Sequence, residues 1–496
     1  MTSFNMTSGL VVLIAFLTML AVLGVLLLGA WWMIRRLSRF LEHLAGADPR
    51  INLFEIFFVL KAWSWREILL TLERAAKGKR AEHPMGSVVR GTPWLDRLAF
   101  DPATLKPHLP GLKDISLKVK IGPRAKKPLT LELPVLIAPM GYGIGLSAAV
   151  KTALAQISTI AGTVTSSGEG PYLPEERAYA LKWILQWSQG PWNHQKEVIL
   201  LADMVEIHLG QGAEANIRIS RRKNLPRRIR RMVQGHSVVI HAKMPPLPRL
   251  FSYLKRINPD IPIGVKLPAT NHIEEDLTIL TQWPIDVITV DGQEAASQNS
   301  PTVISDHFGI STAWAIARSR AWLRRHHLQD LSLIASGGIK GAADIAKLIA
   351  LGADAVAVGS PLLIAMSHEQ LSKFMPLSPL GPSKLVFADN YSPDAPDFDV
   401  GQAVRHGVNW FLATKDELRT ILQALALADV QSLSPRFLIA KTEDVEPLLA
   451  LSSVGDISPV LISSLTQLVE GYRELNLCLH SQYDLLHGQK ERIFGA

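Results

Sequence analysis

Several clusters in this sequence have the residue types and spacing to do chemistry. The strongest is ASGGIKGAADIAKLIALGADAVAVGSPLL at 335–363. Gly337 and Gly338 end one apolar run, Gly341 and Ala342 open a helical stretch, and Gly359 and Ser360 end the next apolar run. Glycines let backbone N–H groups approach a phosphate closely, and a helix N terminus adds a favourable dipole. One glycine ends many strands; paired GG and GS turns, one unit apart, point to phosphate binding. Lys266 closes the apolar run IPIGVKLP. A lysine there is costly without a partner, so it is read as facing an anionic ligand. A strand-end lysine reaching to solvent is the alternative.

In VEIHLGQG, Glu206 and His208 alternate and so share one face. Two ligands are too few for a metal, and none is expected; a satisfied interior polar pair is the better reading. Gln211 can donate and accept toward a ring edge. TSSGEG at 165–170 offers the hydroxyls of Thr165, Ser166 and Ser167 and the carboxylate of Glu169, although turn chemistry alone explains SSG. Asp291, Gln293 and Glu294 follow IDVITV, where helix capping competes with a role in chemistry. His241 and Lys243 close or follow SVVIHA and could meet an acidic substrate. No nucleophile elbow, P-loop or H-E-x-x-H is present, so hydrolase and kinase readings lack support.

These residues need short strands to position them. Apolar runs at 133–140, 158–164, 203–210, 237–242, 261–268, 285–292, 331–338 and 353–360 read as strands, and 311–325 and 341–352 as helices. Strands alternating with helices argue a parallel α/β architecture. The count fits a (β/α)8 TIM barrel. A doubly wound sheet is the runner-up, but it places its phosphate turn after the first strand. Here the phosphate-like turns follow the last two, as in barrels. The barrel is expected over 96–370, with a mostly helical extension over 371–496 that includes a helix at 415–430.

The start of the chain is different. After a short tail over 1–9, residues 10–34 carry no charge, and Trp31, Trp32, Arg35, Arg36 and Arg39 follow or close the run. About 20 residues span a bilayer core of ~30 Å. The run is too long for a usual signal peptide, and no basic segment precedes it. One membrane-spanning helix is expected, with the large C-terminal part in the cytoplasm by the positive-inside bias. A basic helical linker covers 35–95; within it, 54–64 reads as a buried or interfacial helix. The net charge of +8 is concentrated in RRKNLPRRIRR at 221–231. That run suits a solvated face or acidic lipid, and no nucleic-acid-binding motif accompanies it. A single cysteine, Cys478, rules out an internal disulfide and a thiolate-held iron–sulfur cluster within this chain.

PMGYGIG, TSSGEG, EIHLGQGAE, GVKLPA, DVITVDG, SGGIKGAADIAKLIALGADAVAVGS and WFLATKDELRTILQAL, in this order, resemble the FMN-binding synthase domain of glutamate synthase. The resemblance covers about residues 90–450. It implies an FMN-dependent oxidoreductase that reductively aminates 2-oxoglutarate, through 2-iminoglutarate, to glutamate or runs a related CH–NH2 reaction. It places Met140, Gly141 and Tyr142 along the flavin and Thr165 and Ser166 at a flavin-facing turn. Gln211 and Lys266 would meet the ring edge. Gly337, Gly338, Gly359 and Ser360 would hold the phosphate, and Glu169 and Lys266 would be catalytic. The partners implied are a small anionic substrate such as 2-oxoglutarate or an amino acid, membrane lipid, a separate electron donor and an ammonia-supplying protein.

The departures from that family are specific. A membrane helix stands where the family's long form has an amidotransferase domain. The cluster cysteines are missing near 370, where HEQLSKFMPLSPLGPSK stands. GQEAASQNSP replaces a glycine-rich stretch at 292–301, and GQGAEANIRIS alters the loop after the third strand. A membrane-anchored flavin-binding or regulatory protein, and a flavin-independent barrel transferase or isomerase, are the alternative readings.

Overall fold

The computed structural model describes residues 6–45, 63, 65–78, 94–103, 110–212, 218–221, 227–231, 237–241, 247–295, 307–370 and 398–452. Eight parallel strands form the central sheet: β1 (Val135–Ile137), β2 (Thr165–Ser166), β3 (Trp183–Trp187), β4 (Met204–His208), β5 (Ile263–Pro268), β6 (Val287–Asp291), β7 (Ser332–Ser336) and β8 (Ala355–Val358). Each pairs with its sequence neighbour from β2 round to β8, and β8 pairs with β1. The remaining seam is bridged by Ile137 N donating to Val164 O at 3.0 Å. The result is a nearly closed (β/α)8 TIM barrel. Its strands are largely apolar and buried on both faces, because helices cover the outside, while buried polar residues stand on several of them.

Among the described residues, two α-helices precede the barrel: α1 (Met6–Ala45) and α2 (Trp65–Lys77). The barrel helices are α3 (Ala148–Ala161), α4 (Pro174–Tyr179), α5 (Lys196–Leu200), α6 (Leu247–Ile257), α7 (Ile273–Leu280), α8 (Thr312–Arg325), α9 (Ala342–Ala350) and α10 (Ser360–Met366). After them comes α11 (Val400–Ala424).

The strands expected at 203–210, 261–268, 285–292, 331–338 and 353–360 are present at their cores, as is the first. Two strand assignments are corrected. Residues 158–161 end α3, and β2 is only the pair Thr165–Ser166. Gly162 stops α3 in the left-handed region at φ 74°, so the strand cannot start before it. Ser237–His241 forms an antiparallel hairpin with Arg218–Arg221 outside the barrel. The missing barrel strand is WILQW, β3, whose aromatic and β-branched residues carried the signal. An isolated apolar run does not reveal which neighbour it pairs with, so the sequence offers 237–242 as a barrel strand and passes over 183–187. Ala242, the last residue of the run at 237–242, and all of 54–64 except Trp63 lie outside the described residues.

An antiparallel hairpin, Val119–Ile121 with Leu129–Leu131, closes the N-terminal end of the barrel, where Gly122 N donates to Ser332 Oγ at 3.0 Å. Leu98–Phe100 pairs with Leu438–Ala440, so the chain before the barrel is strapped to the chain after it. The C-terminal helix begins at 400, earlier than the expected 415, because Asp399 caps it by accepting from Gln402 N at 2.9 Å. It buries Ala403, His406, Trp410, Phe411, Ala413, Leu418 and Leu422 at helical spacing. Burial of Phe411 alone contributes about 2–3 kcal/mol.

α1 contains a stretch, Phe16–Arg36, long and apolar enough to cross a membrane, with mean hydropathy 2.2 and none of it buried. At its end the Arg35 and Arg36 guanidinium groups lie 5.0 and 4.9 Å from the Trp31 and Trp32 rings. Cation–π pairs of this kind suit a bilayer interface. α2 packs against α10 and α11. Arg74 reaches Glu417 at 2.7 Å, and Glu67 pairs with Lys340 at 3.0 Å on the loop between β7 and α9.

Candidate active site

A cavity of about 510 Å³ opens at the C-terminal ends of the strands. This is the barrel face where loops converge and where barrel active sites lie. Of the residues singled out in the sequence, Met140, Gly141, Glu169, Gln211, Lys266, Gly337, Gly338, Gly359 and Ser360 all line it. They come from the ends of β1, β2, β4, β5, β7 and β8, so only closure of the barrel brings them together.

Strand alternation turns Glu206, His208, Lys266, Thr289 and Asp291 into the barrel. Lys266 sits beside His208 on one side and Thr289 on the other. Its ammonium lies 2.7 Å from Asp291 Oδ2, with both side chains almost fully buried. Burial alone would push Lys266 down. The carboxylates of Asp291, Glu206 and Glu169 outweigh it and hold the group above the ordinary lysine range. Lys266 is therefore a permanent cation at neutral pH. Asp291 Oδ1, by contrast, is buried with no hydrogen-bond partner among the described residues.

One level deeper, Glu206 accepts from Gln186 Nε2 at 2.9 Å and from Thr289 Oγ1 at 2.8 Å. It is the satisfied interior group the sequence suggested. His208 instead pairs its Nε2 with Glu169 Oε1 at 3.0 Å. Glu206 and His208 thus bond to different partners. This contact can hold or move a proton at the edge of the cavity.

The turn after β7 sits in the left-handed region, Gly337 at φ 113° and Gly338 at φ 71°. Gly359 has an ordinary φ of −122°, and a Cβ there would rest 3.7 Å from Ala138 Cβ and Met140 Sδ. Those are ordinary van der Waals contacts, so no backbone collision requires glycine at that point. Asp344 in the first turn of α9 accepts from Lys340 N at 2.9 Å, and burial raises its carboxyl above the usual range.

Tyr142, Thr165 and Ser166 do not line the cavity. Tyr142 is buried in a small cluster with Leu173, Trp192 and Ile229. Thr165 lies beside the buried Lys151–Glu176 pair. The Ser166 carbonyl accepts from Lys151 Nζ at 2.5 Å. Glu294 lines the cavity but also caps α8, accepting from Thr312 N at 2.9 Å and Thr312 Oγ1 at 3.0 Å, so the capping reading holds for it. His241 lies on the outer hairpin, and Lys243 lies outside the described residues.

Sequence reading missed Trp63 and Lys340, and it gave Asp291 no partner; all three line the cavity. Asp291 had a signal, since a carboxylate ending an apolar strand beside a strand-end lysine suggests an ion pair. Trp63 had none, because it reaches the cavity from before the barrel.

The conserved region in glutamate synthase matches residues 111–426, more than half of the chain, and the chain belongs to the glutamate synthase family. An archaeal glutamate synthase [NADPH] from Archaeoglobus fulgidus is 30% identical over 283 residues, covering 55% of this chain and 53% of its own length. A glutamate synthase large subunit-like protein from Rhizobium meliloti is 27% identical over 386 residues, 71% of this chain and 86% of its own. The chain spans about half the length of the first of these relatives. Among solved structures, a flavocytochrome b2 variant with sulfite bound aligns at a TM-score of 0.47 and 13% identity, over 75% of this chain and 82% of that one.

Proposed function

We propose that this chain binds FMN in the barrel mouth and works as an FMN-dependent oxidoreductase of the glutamate synthase type. The reaction is reductive amination of 2-oxoglutarate, through 2-iminoglutarate, to glutamate, or a closely related CH–NH2 step. One observation carries the reading. In a chain of this family, a single cavity has glycine turns at Gly337–Gly338 and Gly359–Ser360 and a buried Lys266–Asp291 pair in its wall.

The residues fit a flavin. Lys266 can donate to a carbonyl edge, and the unpartnered Asp291 Oδ1 can accept from a ring N–H. Gln211 can do either. Met140 and Gly141 supply a flat apolar flank. The glycine turns offer backbone N–H groups to a phosphate, and Gly359 and Ser360 line the cavity that would hold it. Tyr142, Thr165 and Ser166 support this mouth from behind.

FMN, when bound, would supply two-electron redox chemistry. This chain's own residues do the rest. Lys266, kept cationic by its carboxylate neighbours, draws an anionic substrate and stabilises negative charge. Glu169 and His208 hold a proton between Oε1 and Nε2, ready for delivery to a substrate nitrogen or carbon. Electrons arrive from a separate reductase or a membrane quinone, and ammonia from solution or a partner protein.

Purification in detergent and extraction of the flavin test the reading. We expect one FMN per chain, and a flavin spectrum that reoxidises when 2-oxoglutarate and ammonium are added to reduced protein. A colourless, folded protein would overturn FMN binding. A flavin indifferent to both compounds would instead point to another substrate. Iron and acid-labile sulfide are expected to be absent, since one cysteine cannot hold a cluster. α1 is proposed as a single membrane span with the barrel in the cytoplasm. A reporter fused after residue 496 should be active only on the cytoplasmic side.

A further inference from the structure

Outside the mouth, and among the described residues, one cluster of metal-ligating side chains stands at the junction of α10, α11 and α2. His368 and Glu369 follow the C terminus of α10, and His406 lies on α11. One ligand atom from each falls within 4.8 Å of the others. The His368 and His406 rings meet edge to face, with centroids 4.7 Å apart at 88°.

The hydrogen bonds of His406 fix its protonation pattern. Its Nδ1 lies 2.9 Å from the carbonyl of Ala75, near the end of α2. A carbonyl only accepts, so Nδ1 carries the proton. Nε2 then faces Glu369 Oε2 at 3.2 Å. In the neutral imidazole that nitrogen is a lone pair, and a carboxylate oxygen is also an acceptor. Two acceptors at this distance need a cation between them, either a proton or a metal ion. An imidazole whose far nitrogen is tied to a backbone carbonyl is the arrangement in which histidine ligates metals. Glu369 adopts a left-handed φ of 61°, which turns its carboxylate back toward the histidines. Arg405 approaches the same carboxylate at 3.6 Å and is the competing cation.

We propose that His368, Glu369 and His406 form a binding site for a divalent transition-metal ion of the zinc type. Two imidazoles and one carboxylate suit zinc and leave a fourth position for water. Bonds of about 2.0–2.2 Å require the ligand atoms to draw in by roughly 1 Å. His406 is buried and held. His368 is only partly covered and the Glu369 side chain is 51% exposed, so these two can move toward it. The ion would join the end of α10 to α11. Through His406 it would also reinforce α2, whose Ala75 carbonyl accepts from Asn409 Nδ2 at 2.8 Å as well. The metal would therefore act as a clamp on the helix that links the apolar N-terminal segment to the barrel.

The full chain in detergent, stripped with a chelator and titrated with Zn²⁺ alone, tests this. Competition with a chromophoric chelator gives affinity and stoichiometry. We expect one tight zinc per chain, with an X-ray absorption signature of imidazole and oxygen ligands. Glu369→Gln and His368→Gln should each weaken it by about 100-fold or more, more than the loss of an outer-shell partner. Zinc should raise the melting temperature of the unmodified chain by about 3 °C or more, and of neither variant. Both substitutions are on accessible side chains away from the cavity, so flavin content and circular dichroism serve as controls. Absence of stoichiometric zinc at micromolar concentration, or unchanged affinity in both variants, would overturn the site. The contact would then be an imidazolium–carboxylate pair.

Discussion

The two glycine-rich sides of the barrel mouth look alike in sequence and differ in physics. On the β1–β2 side, PMGYGIG and TSSGEG exist so that one loop can lie on the other. A Cβ at Gly141 would meet Gly170 N at 2.6 Å, and one at Gly170 would run into the backbone of Tyr142. These glycines serve backbone packing. On the β7–β8 side, a Cβ at Gly337 would also meet backbone, Ala295 N at 2.8 Å, but one at Gly359 would make only ordinary contacts, 3.7 Å from Ala138 Cβ and Met140 Sδ. Backbone packing therefore does not demand a glycine at 359. A glycine motif therefore signals close approach, and only the tertiary structure tells whether the approaching group is the protein or a ligand. The charged groups divide in a similar way. Lys266–Asp291 is sealed inside the mouth, whereas Arg318–Glu274 makes a comparable pair on the outer helices.

The largest effect should come from breaking the inner pair. Lys266→Met leaves Asp291 buried without its cation, and we expect a loss of about 3–5 kcal/mol in chemical denaturation. Lys266→Met combined with Asp291→Asn should recover much of it; a double variant as unstable as the single one would show that packing, not charge, holds this wall. The pH dependence follows from the sign of the shift. Lys266 is raised in the folded state, so its contribution is fully present below about pH 10.4 and is lost as pH rises through the folded value.

Gly170→Ala comes next. Its φ is not in the left-handed region, so the effect is steric alone. We expect roughly 3 kcal/mol of destabilisation in thermal unfolding from the backbone collision. A change below about 0.5 kcal/mol would mean that the loops separate freely and that the comparison fails on this side.

Gly359→Leu sharpens the other side. The side chain enters the cavity rather than the backbone, so stability should change by less than about 1 kcal/mol while bound flavin falls away. Folded protein that keeps full flavin would remove the phosphate from this turn.

The smallest effect belongs to the outer pair. Arg318 donates to Glu274 from Nε at 2.7 Å and Nη2 at 2.5 Å, and these bonds lower the Glu274 carboxyl. The lowered group contributes stability above its unfolded value near pH 4.5, and this is lost as pH falls through the folded one. The carboxylate is 37% exposed, so screening limits Arg318→Ala to less than about 1 kcal/mol. Denaturation midpoints at pH 7 and pH 4 should show the difference between variant and parent shrinking in acid.

Several features were legible from local order alone. The uncharged run of α1, the GG and GS turns and the unit between them depend on neighbours within a few positions. So did most of the strands, because a parallel strand covered on both faces reads as a near-continuous apolar run. Lys266 stood out because a lysine is costly inside an apolar run, whereas Glu169 was marked by the family resemblance. Other features required closure of the barrel. Whether WILQW or SVVIH joins the sheet depends on pairing partners far along the chain, and both satisfy the same local pattern. The pairing of Lys266 with Asp291, the absence of Thr165 and Ser166 from the cavity lining, and the arrival of Trp63 at its wall are decided by which strands become neighbours and how each is turned. The meeting of His368, Glu369 and His406 is of the same kind. Sequence determines what each segment must bury. Because burial is non-directional, only the assembled structure decides which charged and polar groups are left facing one another.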